Sequence, residues 1–311
     1  MTLAELLTAP EPYRPAVTAE FPALDGGGLE AAAAHASRLA PYVDAVNATD
    51  NPAAHAHASN VAVAVALYRL GLEPVLQVAC RDKNRLAVQA DIVGAALHGV
   101  TNVCCMTGDD TTAGDEPEAQ RVFDLDGPQA VRTAAVLAGG RYLSGRPLSP
   151  APPLFIGAVE NPGAPPFEER AKRALKKVRA GARFLQLQIC YRPERISAFC
   201  ERAEAEGVTP AAALLPTVAL VKGARALRYM DAKVPGISVP QEVVERVENA
   251  SDEREASYQV SLELARNALA QPGVRGLHIT DFRHDDTLGR LCSDLGLPTM
   301  RTAQGEDAMA V

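Results

Sequence analysis

The sequence predicts a single (βα)8 barrel of the TIM type, and three features of the chain indicate this fold. Short apolar runs alternate eight times with longer amphipathic segments, in the strand–helix order of parallel α/β proteins. Each short run is apolar on both faces, as expected for parallel strands covered by helices. Eight such units within 311 residues are typical of a closed barrel. An open doubly wound sheet is the alternative, because periodicity does not report whether a sheet closes.

The predicted strands are short and rich in Val, Leu, Ala and Cys. In order they are Ala16–Phe21, Tyr42–Val46, Pro74–Cys80, Asn102–Met106, Leu154–Val159, Arg183–Ile189, Pro210–Leu215 and Gly276–Thr280. The predicted helices share an amphipathic, often Ala-rich pattern, and some are short additions to the eight-fold scheme. In order they are Leu29–Leu39, His57–Leu70, Arg85–His98, Pro128–Leu137, Phe167–Ala180, Arg195–Glu206, Leu220–Met230, Gln241–Val247, Arg254–Ala270 and Asp286–Leu295.

The whole chain is predicted to form one domain. The barrel is expected over residues 15–298, after an N-terminal extension at 1–14 and before a C-terminal tail at 299–311. We expect a cytoplasmic protein, because the N-terminus lacks the basic start and apolar stretch of a signal peptide and no apolar run is long enough to cross a bilayer. A homo-oligomer is compatible with this sequence.

Composition argues against two classes of partner. The net charge is −7 and the pI is near 5.5, so no basic field covers the chain and nucleic acid is not an expected partner. The 6 cysteines form no C-x-x-C pair and no Cys/His cluster has zinc spacing, so no metal site is predicted. They are expected to be buried, reduced thiols.

Functional groups of a (βα)8 barrel lie at the carboxyl ends of its strands. The first strand ends in Glu20, beside Phe21 and Pro22. A carboxyl group partly withdrawn from water suits general acid catalysis. A solvated charge at a strand end is the simpler alternative.

Four amides stand in or after predicted strands. Asn47 follows the second strand, and Gln77 lies within the third. Gln186 and Gln188 alternate with apolar residues on the sixth, so both are predicted to point to one face. Buried amides need partners, so they belong either to a structural network or to a ligand contact.

The fourth strand is followed by Thr107, Gly108 and Asp109. Glycine beside a carboxylate allows a ligand to approach the backbone closely, although the same pattern is common in turns. His55 follows the second strand and is expected either at the site or on the surface. Neither G-x-G-x-x-G nor a Walker A sequence is present. Two acids and several amides, without a nucleophile–base pair, fit recognition of a flat, amide-bearing ring plus one proton donor.

Four strings give the chain a resemblance to a known family. They are Glu20-Phe-Pro22, Thr107-Gly-Asp109, Phe155-Ile-Gly-Ala158, and Ala180-Gly-Ala182 followed by Gln188. In order and spacing they resemble methylenetetrahydrofolate reductases, over about Val17–Leu297. The resemblance implies that Glu20 is the proton donor, that Asp109 holds the pterin facing the hydride donor, and that Gln188 contacts the amide edge of the pterin.

The departures from this family fall on its flavin contacts. The residues concerned are Asn47 in place of Thr, Gln77 in place of His, Thr107 in place of Arg, Arg170 in place of Asp, and the loop Glu160–Pro166. Lys177 alone keeps a phosphate-contact position. The chain therefore resembles the short, flavin-free actinobacterial branch of the family.

The resemblance implies direct hydride transfer from NADH or NADPH to 5,10-methylenetetrahydrofolate, giving 5-methyltetrahydrofolate without FAD. The sequence does not choose between the two nicotinamides. Expected contacts are grouped by ligand: Asp109, Gln188, Gln186 and Asn47 for the folate, and Asn47, Gln77, Thr107, Gly108, His55 and Lys177 for the nicotinamide nucleotide. An FAD-dependent reductase with ping-pong transfer and a folate-binding barrel without catalysis are the alternatives.

Overall fold

Eight parallel strands form a closed barrel in the computed structural model, which describes residues 1–10 and 14–297. Each strand pairs with its neighbours in chain order, and the last strand closes on the first through the register Thr18↔His278. The predicted TIM barrel is confirmed, and the open sheet is excluded. Within the described ranges, none of the helices combines the length and hydropathy that a bilayer-spanning segment needs.

The strands are β1 Ala16–Glu20, β2 Ala45–Ala48, β3 Pro74–Ala79, β4 Asn102–Met106, β5 Phe155–Glu160, β6 Phe184–Leu187, β7 Ala213–Leu220 and β8 Gly276–Asp281. The helices are α1 Leu3–Thr8, α2 Gly28–Leu39, α3 Asn60–Arg69, α4 Arg85–Ala96, α5 Gly127–Ala138, α6 Arg170–Ala180, α7 Pro193–Ala205, α8 Ala224–Lys233, α9 Gln241–Glu248, α10 Glu253–Leu269 and α11 Thr287–Asp294. Short 3-10 turns stand at Pro52–Ala54, Thr111–Ala113 and Phe167–Glu169.

Polar caps begin several of the outer helices. The Asn84 side chain accepts hydrogen bonds from the backbone N–H groups of Leu86 and Ala87, at 3.0 and 3.1 Å, where α4 begins. Asp126 and Gln129 form a reciprocal capping box at the start of α5. Such caps satisfy N–H groups that have no partner inside the helix and are each worth about 1 kcal/mol. The helix faces below them pack on the strands and form the main core.

The barrel interior is sealed at its amino-terminal end. Apolar side chains from alternate strands pack there with Leu3, Leu6 and Leu7 of α1. The ring of Phe184 stacks on Phe155 with centroids 5.3 Å apart. Gly157 makes room for it, because a Cβ at that position would lie 2.2 Å from the Phe184 ring. Open space within the barrel is therefore confined to the carboxyl ends of the strands.

Two predicted strands were misplaced. The seventh was predicted at Pro210–Leu215 with a helix from Leu220, whereas β7 runs to Leu220 and α8 begins at Ala224. The apolar run after Pro216 fits the periodicity of a strand and of a helix equally well. It forms a strand because it pairs with β8. The second strand was predicted at Tyr42–Val46, whereas β2 extends to Ala48, which puts Asn47 inside it.

The N-terminal extension predicted at 1–14 includes α1, which packs beneath the barrel. The predicted tail at 299–311 lies outside the described residues. All 6 cysteines are free and buried, as expected. Burial raises the pKa of the Cys104 thiol to about 12, so it stays protonated near neutral pH.

Candidate active site

A cavity of about 1160 Å³ opens at the carboxyl ends of the strands. Small-molecule sites commonly measure about 300–1,000 Å³, so this cavity is large for a single small ligand. Nine of the ten predicted site residues line it: Glu20, His55, Gln77, Thr107, Gly108, Asp109, Lys177, Gln186 and Gln188. The three residues expected to surround one pterin, Glu20, Asp109 and Gln188, thus face the same cavity.

Asn47 is the predicted site residue that does not line the cavity. It is 0% exposed, and its amide pairs with that of Gln186 through hydrogen bonds of 2.8 and 3.1 Å. The two-residue extension of β2 turns this side chain into the barrel beneath the cavity floor. Asn47 therefore contacts Gln186, and its side chain does not reach the cavity.

Gln186 is the centre of a polar layer inside the barrel. Besides Asn47, it contacts Cys104 Sγ at 3.4 Å and His278 Nδ1 at 3.3 Å. His278 Nδ1 also lies 2.8 Å from Thr18 Oγ1. With its amide occupied and only 3% of the residue exposed, Gln186 holds the cavity floor rather than offering a free amide to a ligand.

His278 links this layer to Glu20. The amide nitrogen of Gln186 is only a donor, so His278 Nδ1 accepts, and a neutral ring carries its hydrogen on Nε2. His278 Nε2 is buried, has no hydrogen-bond partner among the described residues, and lies 3.9 Å from Glu20 Oε1. The Glu20 side chain is 33% exposed and lines the cavity, so its carboxylate stands between a ligand and the imidazole. The arrangement suits proton transfer between Glu20 and a ligand.

Asp109 faces the cavity across from a buried arginine. It makes no hydrogen bond with any residue in the described part of the chain. Burial raises the pKa of Asp109, and the charge of Arg81 acts in the opposite direction. Arg81 is 2% exposed and is held by Asp82, at 2.6 and 2.7 Å, and by the backbone oxygen of Asn51.

Gly108 is required between these two groups. Its φ is +87°, and a Cβ there would lie 3.1 Å from Arg81 Cβ. Only glycine adopts that conformation at little cost and leaves the arginine in place. Asp109 thereby lines the cavity without a hydrogen-bond partner among residues 1–10 and 14–297.

Two amides remain available to a ligand. Gln77 is 6% exposed and lines the cavity, and its side chain makes no hydrogen bond within the described ranges. Gln188 uses its side-chain oxygen to accept from Ile189 N at 2.9 Å, which leaves its NH2 group. Amides of this kind are satisfied when a ligand supplies the complementary groups.

The cation predicted for phosphate contact is already paired. Lys177 Nζ lies 2.7 Å from Glu160 Oε2 and also donates to the Val159 carbonyl, and Arg170 lies 3.2 Å from Glu160 Oε1. Glu160 is only 4% exposed, so its carboxylate is fixed between the two cations. Both cations are therefore already paired with a carboxylate of the chain itself.

His55 stands at the cavity rim in a loop with unusual backbone geometry. Its Nδ1 lies 3.0 Å from the Ala53 carbonyl oxygen, and Ala53 and Ala54 have φ values of +54° and +61°. Such strain is commonly kept near binding sites. The ring lines the cavity, but the hydrogen bond of its Nδ1 is to its own loop, and contact with a nicotinamide nucleotide stays a prediction.

Sequence reasoning missed Arg81 and His278. Arg81 directly follows a strand, and a charge at that point was a usable signal. His278 is an ionisable residue within the apolar strand β8, and that position was a usable signal. Its partner Thr18, however, is 260 positions away in the sequence.

Three solved structures share the fold of this chain at low sequence identity. An uncharacterized protein from Clostridium thermocellum that binds two copies of 5-methyl-5,6,7,8-tetrahydrofolic acid has a TM-score of 0.68 and 12% identity, over 95% of this chain and 99% of that chain. The EDTA monooxygenase EmoA from Chelativorans sp. BNC1 has a TM-score of 0.54 and 10% identity, over 94% of this chain and 96% of its own. DmoA from Hyphomicrobium sulfonivorans gives 0.53 and 8%, over 91% and 89%.

The sequence itself matches one family model, methylenetetrahydrofolate reductase, over residues 13–139 and 148–296. The match includes the strand ends that carry Glu20, Asp109 and Gln188. The chain therefore belongs to the methylenetetrahydrofolate reductase family.

Proposed function

We propose that this protein reduces 5,10-methylenetetrahydrofolate to 5-methyltetrahydrofolate, with NADH or NADPH giving its hydride directly to the folate. The observation that carries the proposal is that Glu20, Asp109 and Gln188 line one cavity. Glu20 can protonate a bicyclic ring, and Asp109 with Gln188 can bind the amide edge of that ring. Family membership supplies the reaction class.

Direct transfer requires the two reactants to be bound at the same time. A cavity of about 1160 Å³ is large enough to place a pterin and a nicotinamide face to face. The neighbour from Clostridium thermocellum, which shares the barrel, binds two copies of a folate. Both observations support a ternary complex in this barrel.

In the proposed reaction Glu20 gives a proton to N10 of the folate, and the bond between N10 and the bridging carbon breaks. The resulting 5-iminium carbon accepts a hydride and becomes the methyl group, so that one proton and one hydride are added in total. His278 Nε2 lies 3.9 Å from Glu20 Oε1, next to the carboxyl group that gives up the proton. Asp109 and Gln188 bind the aminopyrimidinone edge of the pterin, and Gln77 contacts either the pterin or the nicotinamide.

The alternative with FAD is less well supported. A resident flavin dinucleotide needs cations for its phosphates, and Lys177, the one at the mapped position, is already bound to Glu160, as is Arg170. Displacing a buried carboxylate from two cations costs several kcal/mol. The nicotinamide nucleotide accordingly needs phosphate contacts elsewhere in the cavity.

The experiment is anaerobic turnover of methylenetetrahydrofolate with NADH and with NADPH, on protein whose flavin content is measured first. Colourless protein that oxidises either nicotinamide only in the presence of the folate supports the proposal. A bound flavin that cycles between half-reactions supports the FAD-dependent enzyme instead. Tight folate binding without turnover supports a non-catalytic barrel.

Glu20→Gln tests the acid. General acid catalysis contributes about 10²–10⁴-fold, so we expect turnover to fall by that factor while folate affinity is kept. Glu30→Gln, an exposed change on α2, is the matched control and should behave as the parent protein. Full activity of Glu20→Gln disproves the role assigned to this carboxylate.

A further inference from the structure

Arg81 lies in the cavity wall with one side of its guanidinium fixed and the other side free. Its Nε and Nη2 donate to the two Asp82 oxygens at 2.7 and 2.6 Å, and Nη2 also donates to the Asn51 carbonyl oxygen at 3.1 Å. Nη1 makes no hydrogen bond to any residue that the structure describes, and Arg81 lines the cavity. Because the donors of a guanidinium are coplanar, the two fixed nitrogens also set the direction of the third. Nη1 is therefore a rigid donor that remains available to a ligand.

Asp109 offers an unpaired carboxylate beside this donor. Arg81 Nη1 would lie 3.7 Å from a Cβ at Gly108, and Asp109 is the next residue. The guanidinium and the carboxylate nevertheless do not pair, because no nitrogen of Arg81 lies within 4.0 Å of an Asp109 oxygen. A buried cation and a half-buried anion that line one cavity without touching leave room for a ligand that contacts both.

The charges at this place favour a neutral group over an anion. Asp82 already neutralises Arg81 at 2.6 Å, and Asp109 adds a further negative charge, so a phosphate or a carboxylate would be repelled. An amide within a flat ring fits both side chains, because its carbonyl oxygen accepts from the guanidinium and its N–H donates to the carboxylate. The two residues therefore form a donor–acceptor pair for the C=O and the N–H of one amide.

We propose that Arg81 is a specificity-determining residue, which donates to the 4-oxo oxygen of the pterin while Asp109 accepts from the neighbouring N3–H. The inference rests on the proposed function, which places the pterin against Asp109, and it adds the residue that selects an oxo group at ring position 4. A ring with an amino group at that position turns an N–H toward the guanidinium. It also has no hydrogen on N3 when it is neutral, so both contacts are lost.

The size of the effect follows from the burial of the donor. A buried donor that has no acceptor typically weakens binding by a factor of roughly 5–150. Arg81→Met removes every donor, so the two rings should then bind almost equally. Arg81→Lys keeps the positive charge but has a single flexible ammonium, which pairs with Asp82 and leaves no fixed donor for the ring. Both variants should therefore reduce the preference for the oxo ring to within a few-fold.

The test measures equilibrium binding of 5-methyltetrahydrofolate and of its 4-amino-4-deoxy analogue to the full chain. The parent protein should prefer the oxo ring by about tenfold or more, and both Arg81 variants should lose this preference. Arg85→Lys is the matched control and should keep it, because Arg85 makes the same two-pronged contact with Asp124, at 2.8 and 2.9 Å, but is exposed on α4. Far-ultraviolet circular dichroism checks that each variant is folded. If Arg81→Met does not fold, Arg81→Lys decides the test.

Other results overturn the inference in distinguishable ways. Equal binding of the two rings by the parent protein, or a preference that survives in the Arg81 variants, refutes the role of Arg81 and leaves the proposed function standing. The carboxamide of a nicotinamide has the same amide chemistry, so the affinities for NADH and NADPH are measured in parallel and should stay within a few-fold. A variant that loses nicotinamide affinity and keeps the preference for the oxo ring assigns Arg81 to the carboxamide instead. If the parent protein binds neither ring, the inference and the proposed function are both wrong.

Discussion

The buried amide pair of Asn47 and Gln186 gives a quantitative test of how the cavity floor is held. The two side chains exchange hydrogen bonds of 2.8 and 3.1 Å, and the residues are 0% and 3% exposed. We therefore consider Asn47→Leu, Gln186→Met and the double variant. Each single change keeps approximate size and leaves the partner amide buried without its pair.

The magnitudes follow from the cost of a buried polar group that has lost its partner. This cost is about 1–3 kcal/mol for each group, so each single variant should lose roughly 2–3 kcal/mol of unfolding free energy. In the double variant both amides are gone, while His278 Nδ1 keeps its contact with Thr18 at 2.8 Å. The double variant should therefore lose about 2 kcal/mol, well short of the sum of the single losses.

Equilibrium urea unfolding of the four proteins measures this double-mutant cycle. A coupling energy of about 3 kcal/mol between the two substitutions shows that the amide pair stabilises the cavity floor. Single losses that simply add, with coupling below about 0.5 kcal/mol, refute it.

Three further predictions concern other parts of the barrel. Gly157→Ala places a Cβ 2.2 Å from the Phe184 ring, so overpacking should lower stability by about 1–3 kcal/mol, and an unchanged thermal midpoint contradicts this packing. In the proposed function Asp109 binds the pterin as a carboxylate, so we expect folate affinity to fall as pH drops through the pKa of Asp109, which burial has raised and the charge of Arg81 holds down. Arg81→Gln should move that acid limb of a binding titration to higher pH, and a limb that stays in place disproves the coupling. Glu160→Gln leaves two largely buried cations without a carboxylate and should cost about 3–5 kcal/mol of unfolding free energy. Added phosphate should restore part of this loss in a thermal melt, because the anion can replace the carboxylate between the two cations. If phosphate has no effect, the two cations do not form an anion site.

The barrel was predictable because every parallel strand must be covered by a helix. The sequence therefore contains an apolar run followed by an amphipathic helix eight times. Strand ends were predictable where polar residues follow a clean apolar run, as at Glu20 and Asp109. They were not predictable where the run continues, as after Pro216 in β7, because only pairing with β8 distinguishes strand from helix there. The opposite error placed Asn47 at a strand end, because this polar residue was interpreted as the end of the apolar run although pairing with β3 continues through it.

Contacts between distant residues account for the rest. Lys177 was identified from the sequence, but nothing in the sequence shows that Glu160 reaches it and neutralises it. His278 was overlooked because its role depends on Thr18 and Glu20 at the other end of the chain.

The apolar plug beneath the barrel has a kinetic consequence. Leu3, Leu6, Leu7 and Phe184 block passage through the bottom, so every molecule enters and leaves at the opposite end. When two flat molecules are stacked in such a well, the lower one arrives first and departs last. Turnover then has a compulsory sequence, and an excess of the upper molecule traps the lower one as a dead-end complex.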